Sequence, residues 1–116
     1  MSTPQNPNTA ALAQAGVSIW LDDLSRERIA TGNLAEVKDA KSIVGVTTNP
    51  AIFAAAMGSG NHYDEQLAEL KQAGTTADAA VYAMSVKDVQ DACDLFRDTF
   101  EATGGKDGRV SIEVDP

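Results

Sequence analysis

Cysteine is almost missing from this chain. Cys93 is the only one in 116 residues, so no disulfide closes within it, and a reducing, cytoplasmic setting is expected. Basic residues are also scarce: nine Lys and Arg stand against 17 Asp and Glu, a formal charge of -8 with a pI near 4.4. That balance argues against a nucleic-acid surface, which is normally a basic patch. It leaves room for a phosphorylated metabolite, since one or two local cations hold a phosphate inside an acidic protein. No apolar run approaches the roughly 20 residues that span a bilayer. Residues 1–9 are polar and lack the basic and apolar blocks of a signal peptide. Histidine occurs once, as His62, with no second histidine to share a metal. There is no internal repeat and no low-complexity tract. What is left, 43% hydrophobic and 22% charged, is the composition of one modest globular domain.

Against these absences stand three short apolar runs that each end in polar or acidic residues. They are Ser18-Ile19-Trp20-Leu21-Asp22-Asp23, Ile43-Val44-Gly45-Val46-Thr47-Thr48-Asn49-Pro50 and Arg109-Val110-Ser111-Ile112-Glu113-Val114-Asp115-Pro116. In barrels and open parallel sheets the ligand sits at the carboxyl ends of the strands, so strands finishing in functional side chains suit an α/β enzyme. The chain stops as it leaves the third run, which is expected of part of an enzyme rather than a whole one.

Between the runs the pattern is helical. Residues 1–8, with two prolines and two asparagines, read as a loose arm, and residues 9–116 as one domain. Thr9 is expected to cap a helix over Ala10 to Ala15, ended by Gly16. Ser25 to Ile29 reads as a helical turn, and Asn33 as the cap of a helix through Ala40. Pro50 stands where the first helical position should be, since its missing N–H has no partner there anyway. Asn61 is expected to open a helix with Tyr63, Leu67 and Leu70 on one face. A turn around Ala79 to Ala83 should follow, and Ser85 with Asp88 resembles a capping box opening a separate long helix. Its apolar stripe is Val89, Ala92, Cys93, Phe96 and Phe100, which makes Cys93 a core residue. Strands separated by helices must pair in parallel.

Side chains alternate across a strand, so parity assigns faces. Ser18, Trp20 and Asp22 oppose Val17, Ile19 and Leu21. Gly45, Thr47 and Asn49 oppose Val44, Val46 and Thr48, and Ser111, Glu113 and Asp115 oppose Val110, Ile112 and Val114. Each strand thus has an aliphatic side for helices and a small or polar side. Asp22, Asn49 and Glu113 converge on this parity, while Asp23 and Thr48 point elsewhere. Four acids (Asp22, Asp23, Glu113, Asp115) raise the thought of magnesium, but parity separates Asp22 from Asp23 and no metal is expected.

Trp20-Leu21-Asp22-Asp23-Leu24-Ser25-Arg26, Gly45-Val46-Thr47-Thr48-Asn49-Pro50-Ala51-Ile52-Phe53 and Ser111-Ile112-Glu113-Val114-Asp115-Pro116 closely resemble the opening strands of the transaldolases, in their longer bacterial form. The T-T-N-P element is the most specific piece, and the likeness runs from about Gly16 to Pro116. The resemblance implies a (β/α)8 TIM barrel, with its first three strands and an N-terminal helix present. It also implies a transferase of the non-oxidative pentose phosphate pathway. Such enzymes move a dihydroxyacetone unit from sedoheptulose 7-phosphate to glyceraldehyde 3-phosphate through a lysine Schiff base, giving erythrose 4-phosphate and fructose 6-phosphate. No cofactor is implied, and the partners are sugar phosphates rather than nucleic acid or membrane.

By the same resemblance Asp22 is the acid–base group at the C4 hydroxyl during carbon–carbon cleavage. Glu113 shuttles protons, through a water, as the carbinolamine forms and dehydrates. Asn49 hydrogen-bonds the three-carbon unit, with Thr47 as a supporting partner. The family's nucleophilic lysine belongs to the next strand. Lys38, Lys41, Lys71, Lys87 and Lys106 all lie away from the carboxyl end of an apolar run, so none is expected to be that nucleophile, and these 116 residues alone are expected to be inactive. Arg26, Arg28, Arg97 and Arg109 read as surface residues or as residues leading into strands. A phosphorylation-receiver module is the competing reading, with Asp22-Asp23 and Asp115 as its acids. It lacks the two further strands such a module needs, and the interval between its acids is too long.

Overall fold

Three strands, β1 (Ile19–Leu21), β2 (Ile43–Thr47) and β3 (Arg109–Ser111), form one parallel sheet in that order. They belong to a computed structural model that describes residues 4–113. Val114, Asp115 and Pro116, the end of the third predicted run, lie outside the described residues. Helix α1 (Pro7–Gln14) precedes β1, and α2 (Arg26–Ala30) and α3 (Asn33–Lys41) carry the chain to β2. Helices α4 (Pro50–Met57), α5 (Asp64–Gln72), α6 (Ala77–Leu95) and α7 (Arg97–Ala102) lead on to β3. The chain is therefore α/β, with strands made parallel by helical crossovers.

One side of the sheet is covered by helices. Leu24, Leu34, Val46, Ala92 and Phe96 are fully enclosed there, with Ile43 and Phe53 nearly so. Ile19, Leu21, Val110 and Ile112 join this cluster, so alternate residues of β1 and β3 face the helices, as parity predicts. Burying each Leu, Val or Phe contributes about 1.5–3 kcal/mol, enough to fix which face looks inward. At the start of β2 the alternation slips. Ile19 pairs with Ile43 but Trp20 pairs with Gly45, so Val44 is an extra residue. Ile43 and Val46 consequently both reach the core. Counted straight from Ile43, Thr47 would face the core as well; this bulge turns it out to the open side.

Several helix boundaries differ from the sequence pattern. Helix α1 starts at Pro7, capped by Asn6, whose side-chain oxygen accepts from the N–H groups of Asn8 and Thr9; Thr9 is already helical. Asn6 N–H also donates to Ala40 O at 2.6 Å, and Gln5 donates to Ser42 Oγ at 2.9 Å. Residues 5–8, expected within a loose arm, are thus tied to the α3–β2 junction. Asn33 does not cap α3: Gly32 holds that position at φ +82, and Asn33 Oδ1 accepts instead from Arg28.

The predicted box of Ser85 and Asp88 is no helix start. With no Gly or Pro from 77 to 95, α6 runs on for 19 residues from a cap at Thr76. Ser85 Oγ donates to Val81 O within it, and Asp88 is buried. The helix breaks at Phe96, whose fully buried ring is held in the core while the chain turns into α7. Val89, Ala92 and Phe96 of the predicted stripe pack in the core, and the turn carries only Phe100 out of it. Cys93 is exposed and Phe100 is 42% exposed, so Cys93 is not the core residue expected. Among the described residues no helix is long and apolar enough to cross a membrane.

Candidate functional site at the carboxyl edge of the sheet

Because the strands are parallel, their carboxyl ends share one edge. Asp22 follows β1 directly, Thr47 ends β2, and Glu113 lies just past β3. Thr47 Oγ1 donates to Asp22 Oδ1 at 2.7 Å, so these two meet on the open face as parity requires. The hydroxyl fixes one carboxylate oxygen of Asp22. Thr48 points the other way, being buried and donating to Ser111 O at 2.7 Å, a bond that ties β2 to β3 at the same edge. Asp23 also diverges, accepting from Arg28 Nε at 2.7 Å.

Asn49 has a local task as well. Its backbone is extended, and its Oδ1 accepts from the N–H of Ile52 at 2.9 Å, capping α4 above the N1 proline. The sequence pattern marked Pro50 but not this cap. With Oδ1 occupied, the amide NH2 is the end of Asn49 that offers donors to a ligand. Glu113 is exposed beyond the last strand pair, Thr47 with Ser111. The structure thus joins Asp22 and Thr47 directly and sets Asn49 and Glu113 at the same edge without a bond between them and that pair.

Sequence reasoning missed a buried ionic cluster beside this edge. Arg26, read as a surface residue, donates through Nε to Asp88 Oδ1 at 2.8 Å and through Nη2 to Met84 O at 3.1 Å. Tyr63 Oη donates to Asp88 Oδ2 at 2.5 Å and accepts from the N–H of Arg26 at 3.0 Å. The guanidinium lies over the Tyr63 ring, 4.4 Å from its centre. Burial pushes the Tyr63 phenol far above its ordinary range, and its bond to Asp88 adds to the shift. A signal was present: Asp88 shares a four-residue step with Met84 and Ala92 on the buried face of α6, where an unpaired acid would be costly. The cluster pins the loop that carries Asp22 and Asp23 to α6. Among the described residues, no three His, Cys, Asp or Glu side chains gather as a metal site would need.

Known proteins resemble this chain over nearly its whole length. A family profile described as Transaldolase/Fructose-6-phosphate aldolase matches residues 19–116. A protein named transaldolase from Mycobacterium marinum (strain ATCC BAA-535 / M) is 58% identical over 112 residues, which is 97% of this chain and 30% of that protein. Another of that name, from Kocuria rhizophila, is 59% identical over 116 residues, covering 100% of this chain and 30% of the relative. The Mycolicibacterium smegmatis transaldolase is 57% identical over 112 residues, again 30% of its length. The chain therefore spans about 30% of the curated relatives it matches.

Proposed function

The chain belongs to the transaldolase/fructose-6-phosphate aldolase family, and from that premise we propose that the protein is a transaldolase. It would transfer a dihydroxyacetone unit between sedoheptulose 7-phosphate and glyceraldehyde 3-phosphate in the cytoplasm, within the non-oxidative pentose phosphate pathway. Residues 9–116 would form the N-terminal part of one (β/α)8 barrel. A lysine outside this chain would form the Schiff base, which serves as an electron sink so that carbon–carbon cleavage needs neither metal nor organic cofactor.

Within that reading each residue has a task suited to its geometry. Asp22, with one oxygen fixed by Thr47, takes the C4 hydroxyl proton as the C3–C4 bond breaks and returns one in reverse. Glu113 moves protons through a water during carbinolamine formation and dehydration. Each such acid–base role is worth roughly 10²–10⁴-fold. Asn49 donates from its amide to a hydroxyl of the three-carbon unit, and the α4 cap holds that amide still, so orientation is set before the substrate arrives. The observation that carries the reading is the Asp22–Thr47 bond: the family-like motifs of two strands meet through it at the edge where barrels do chemistry.

Borohydride reduction of the encoded protein with fructose 6-phosphate tests it. A lysine adduct heavier by the reduced three-carbon unit is expected. No adduct, in protein that also forms no sedoheptulose 7-phosphate from fructose 6-phosphate and erythrose 4-phosphate, rules the reading out.

A further inference from the structure

The open face of the sheet carries a large apolar group. Trp20 is 37% exposed there, and its indole lies across Gly45 of the neighbouring strand. A Cβ on Gly45 would stand 2.5 Å from Trp20 Cε2, 2.6 Å from Cδ2 and 2.9 Å from Arg109 O, closer than real side chains approach. Gly45 is not among the positive-φ residues, so glycine is needed here for room and not for its backbone freedom. Two residues further along the same strands stand Asp22 and Thr47, bonded to each other. Residues two apart line one face, which sets the indole one layer beneath that pair.

We propose that the Trp20 indole, seated on the bare backbone of Gly45, is the apolar floor of the sugar-phosphate site and keeps water from the covalent three-carbon intermediate. The inference rests on the transaldolase reading. In that chemistry the lysine-bound unit waits for an acceptor aldehyde, and water competes with the acceptor. Once the enamine is protonated at carbon, water adds to the iminium carbon and the carbon–nitrogen bond breaks toward nitrogen. The nitrogen takes both water protons, so dihydroxyacetone and the lysine ammonium separate with no change of oxidation state. Closed, dry sites suppress this kind of side reaction. Trp20 is thus a positioning residue: it shapes the space under Asp22 without taking a proton itself.

The test is a ratio: dihydroxyacetone released per sedoheptulose 7-phosphate formed, when the encoded protein is given fructose 6-phosphate and erythrose 4-phosphate. Only folded enzyme contributes to either product, so a loss of folded fraction leaves the ratio untouched. Trp20→Val and Trp20→Ala should raise it on the order of 10-fold by admitting water, while Trp20→Phe, still planar and apolar, should stay within about 2-fold of wild type. Val suits a strand and keeps the experiment informative where Ala unfolds it. Gly45→Ala, which displaces the indole from the opposite strand, should raise the ratio too. Wild-type transfer with unchanged ratios in the small variants overturns the floor and leaves the transaldolase reading standing. A wild type that neither transfers nor traps overturns that reading and the floor with it.

Discussion

Arg26 and Asp88, 62 positions apart in sequence, meet at 2.8 Å in an ion pair whose acid is wholly enclosed and whose arginine side chain is 16% exposed. Removing one partner strands the other charge in a dry site. Asp88→Ala should therefore destabilise the protein by about 3–5 kcal/mol. Tyr63→Phe removes only the third member and should cost about 1–3 kcal/mol. Chemical denaturation of the encoded protein measures both, and equal costs for the two variants would mean that Asp88 is not the centre of the cluster.

Gly108 makes a sharper steric prediction. Its φ is +81, and a Cβ there would collide with the backbone of α7, at Phe100 N, and stand 2.7 Å from Phe96 O. The residue's own N–H donates to Val44 O at 2.6 Å, so it cannot move away without giving up a link to β2. Gly16 has a similar φ of +95 but open space around it. Gly16→Ala should cost only the left-handed penalty of about 1–2 kcal/mol, and Gly108→Ala several times that. Thermal melts of the two variants side by side decide it.

These two features show what the residues disclosed and what they withheld. Parity carried far: Trp20, Asp22 and Thr47 are on the open face and Thr48 is not, because alternation is dictated by backbone geometry. It failed at Val44, placed with Val46 on the aliphatic side, because a bulge that no local pattern announces inserts that residue and seats Ile43 in the core instead. Ser85 and Asp88 are misleading because a capping box and a buried acid use the same residue types; the step from Met84 through Asp88 to Ala92 hints at burial, but the partner lies 62 positions away. Arg26 escaped notice for the same reason. Asn49 was marked for its ligand role, but its cap on α4 depends on the extended backbone just before Pro50. Local chemistry was legible; long-range pairing was not.

Lys38 and Asp98 link α3 to α7, with Nζ 2.9 Å from Oδ1 and the ammonium 5.5 Å from the centre of the Phe96 ring. The bond to Lys38 and the N–H of Thr99 hold the Asp98 carboxyl below its ordinary range. A depressed folded pKa contributes stability above the unfolded value of about 3.9, lost as pH falls through the folded one. Because the Asp98 side chain is 75% exposed, water screens the pair, and the contribution should be under about 1 kcal/mol. Wild type and Lys38→Met should therefore differ slightly at pH 6 and differ less as pH falls below about 3.9. A gap that widens on acidification would refute the assignment.

In the proposed site, Thr47 and Asp22 would separate acid–base work from its support. Asp22→Asn keeps an acceptor for the Thr47 hydroxyl but removes the proton-exchanging group, so kcat should fall roughly 10²–10⁴-fold with the fold intact. Thr47→Val removes the hydroxyl alone and should cost about 10-fold, the worth of one hydrogen bond. Thr47→Ser, which restores the donor, should recover most of the loss. A serine variant as slow as the valine one would show that shape at position 47, and not its bond to Asp22, governs the rate.

Asn49 offers the cleanest division between architecture and chemistry, since its two amide ends do different things. The oxygen caps α4 through the Ile52 N–H, and in the proposed site the nitrogen donates to substrate. Asn49→Asp preserves the acceptor and sets a negative charge at a helix N-terminus, which is favourable by about 0.3–1 kcal/mol. It abolishes the donor. Stability should hold or rise while kcat/KM falls roughly 10–100-fold, the loss of about 1.5–3 kcal/mol of hydrogen bonding. Asn49→Ala loses both ends and should lower stability by about 1 kcal/mol in addition. The pair of variants, measured by thermal melts and by transfer kinetics, separates the two roles. If the aspartate variant turns over like wild type, Asn49 serves the helix alone, and the three-carbon unit must find its orienting donor elsewhere on the edge.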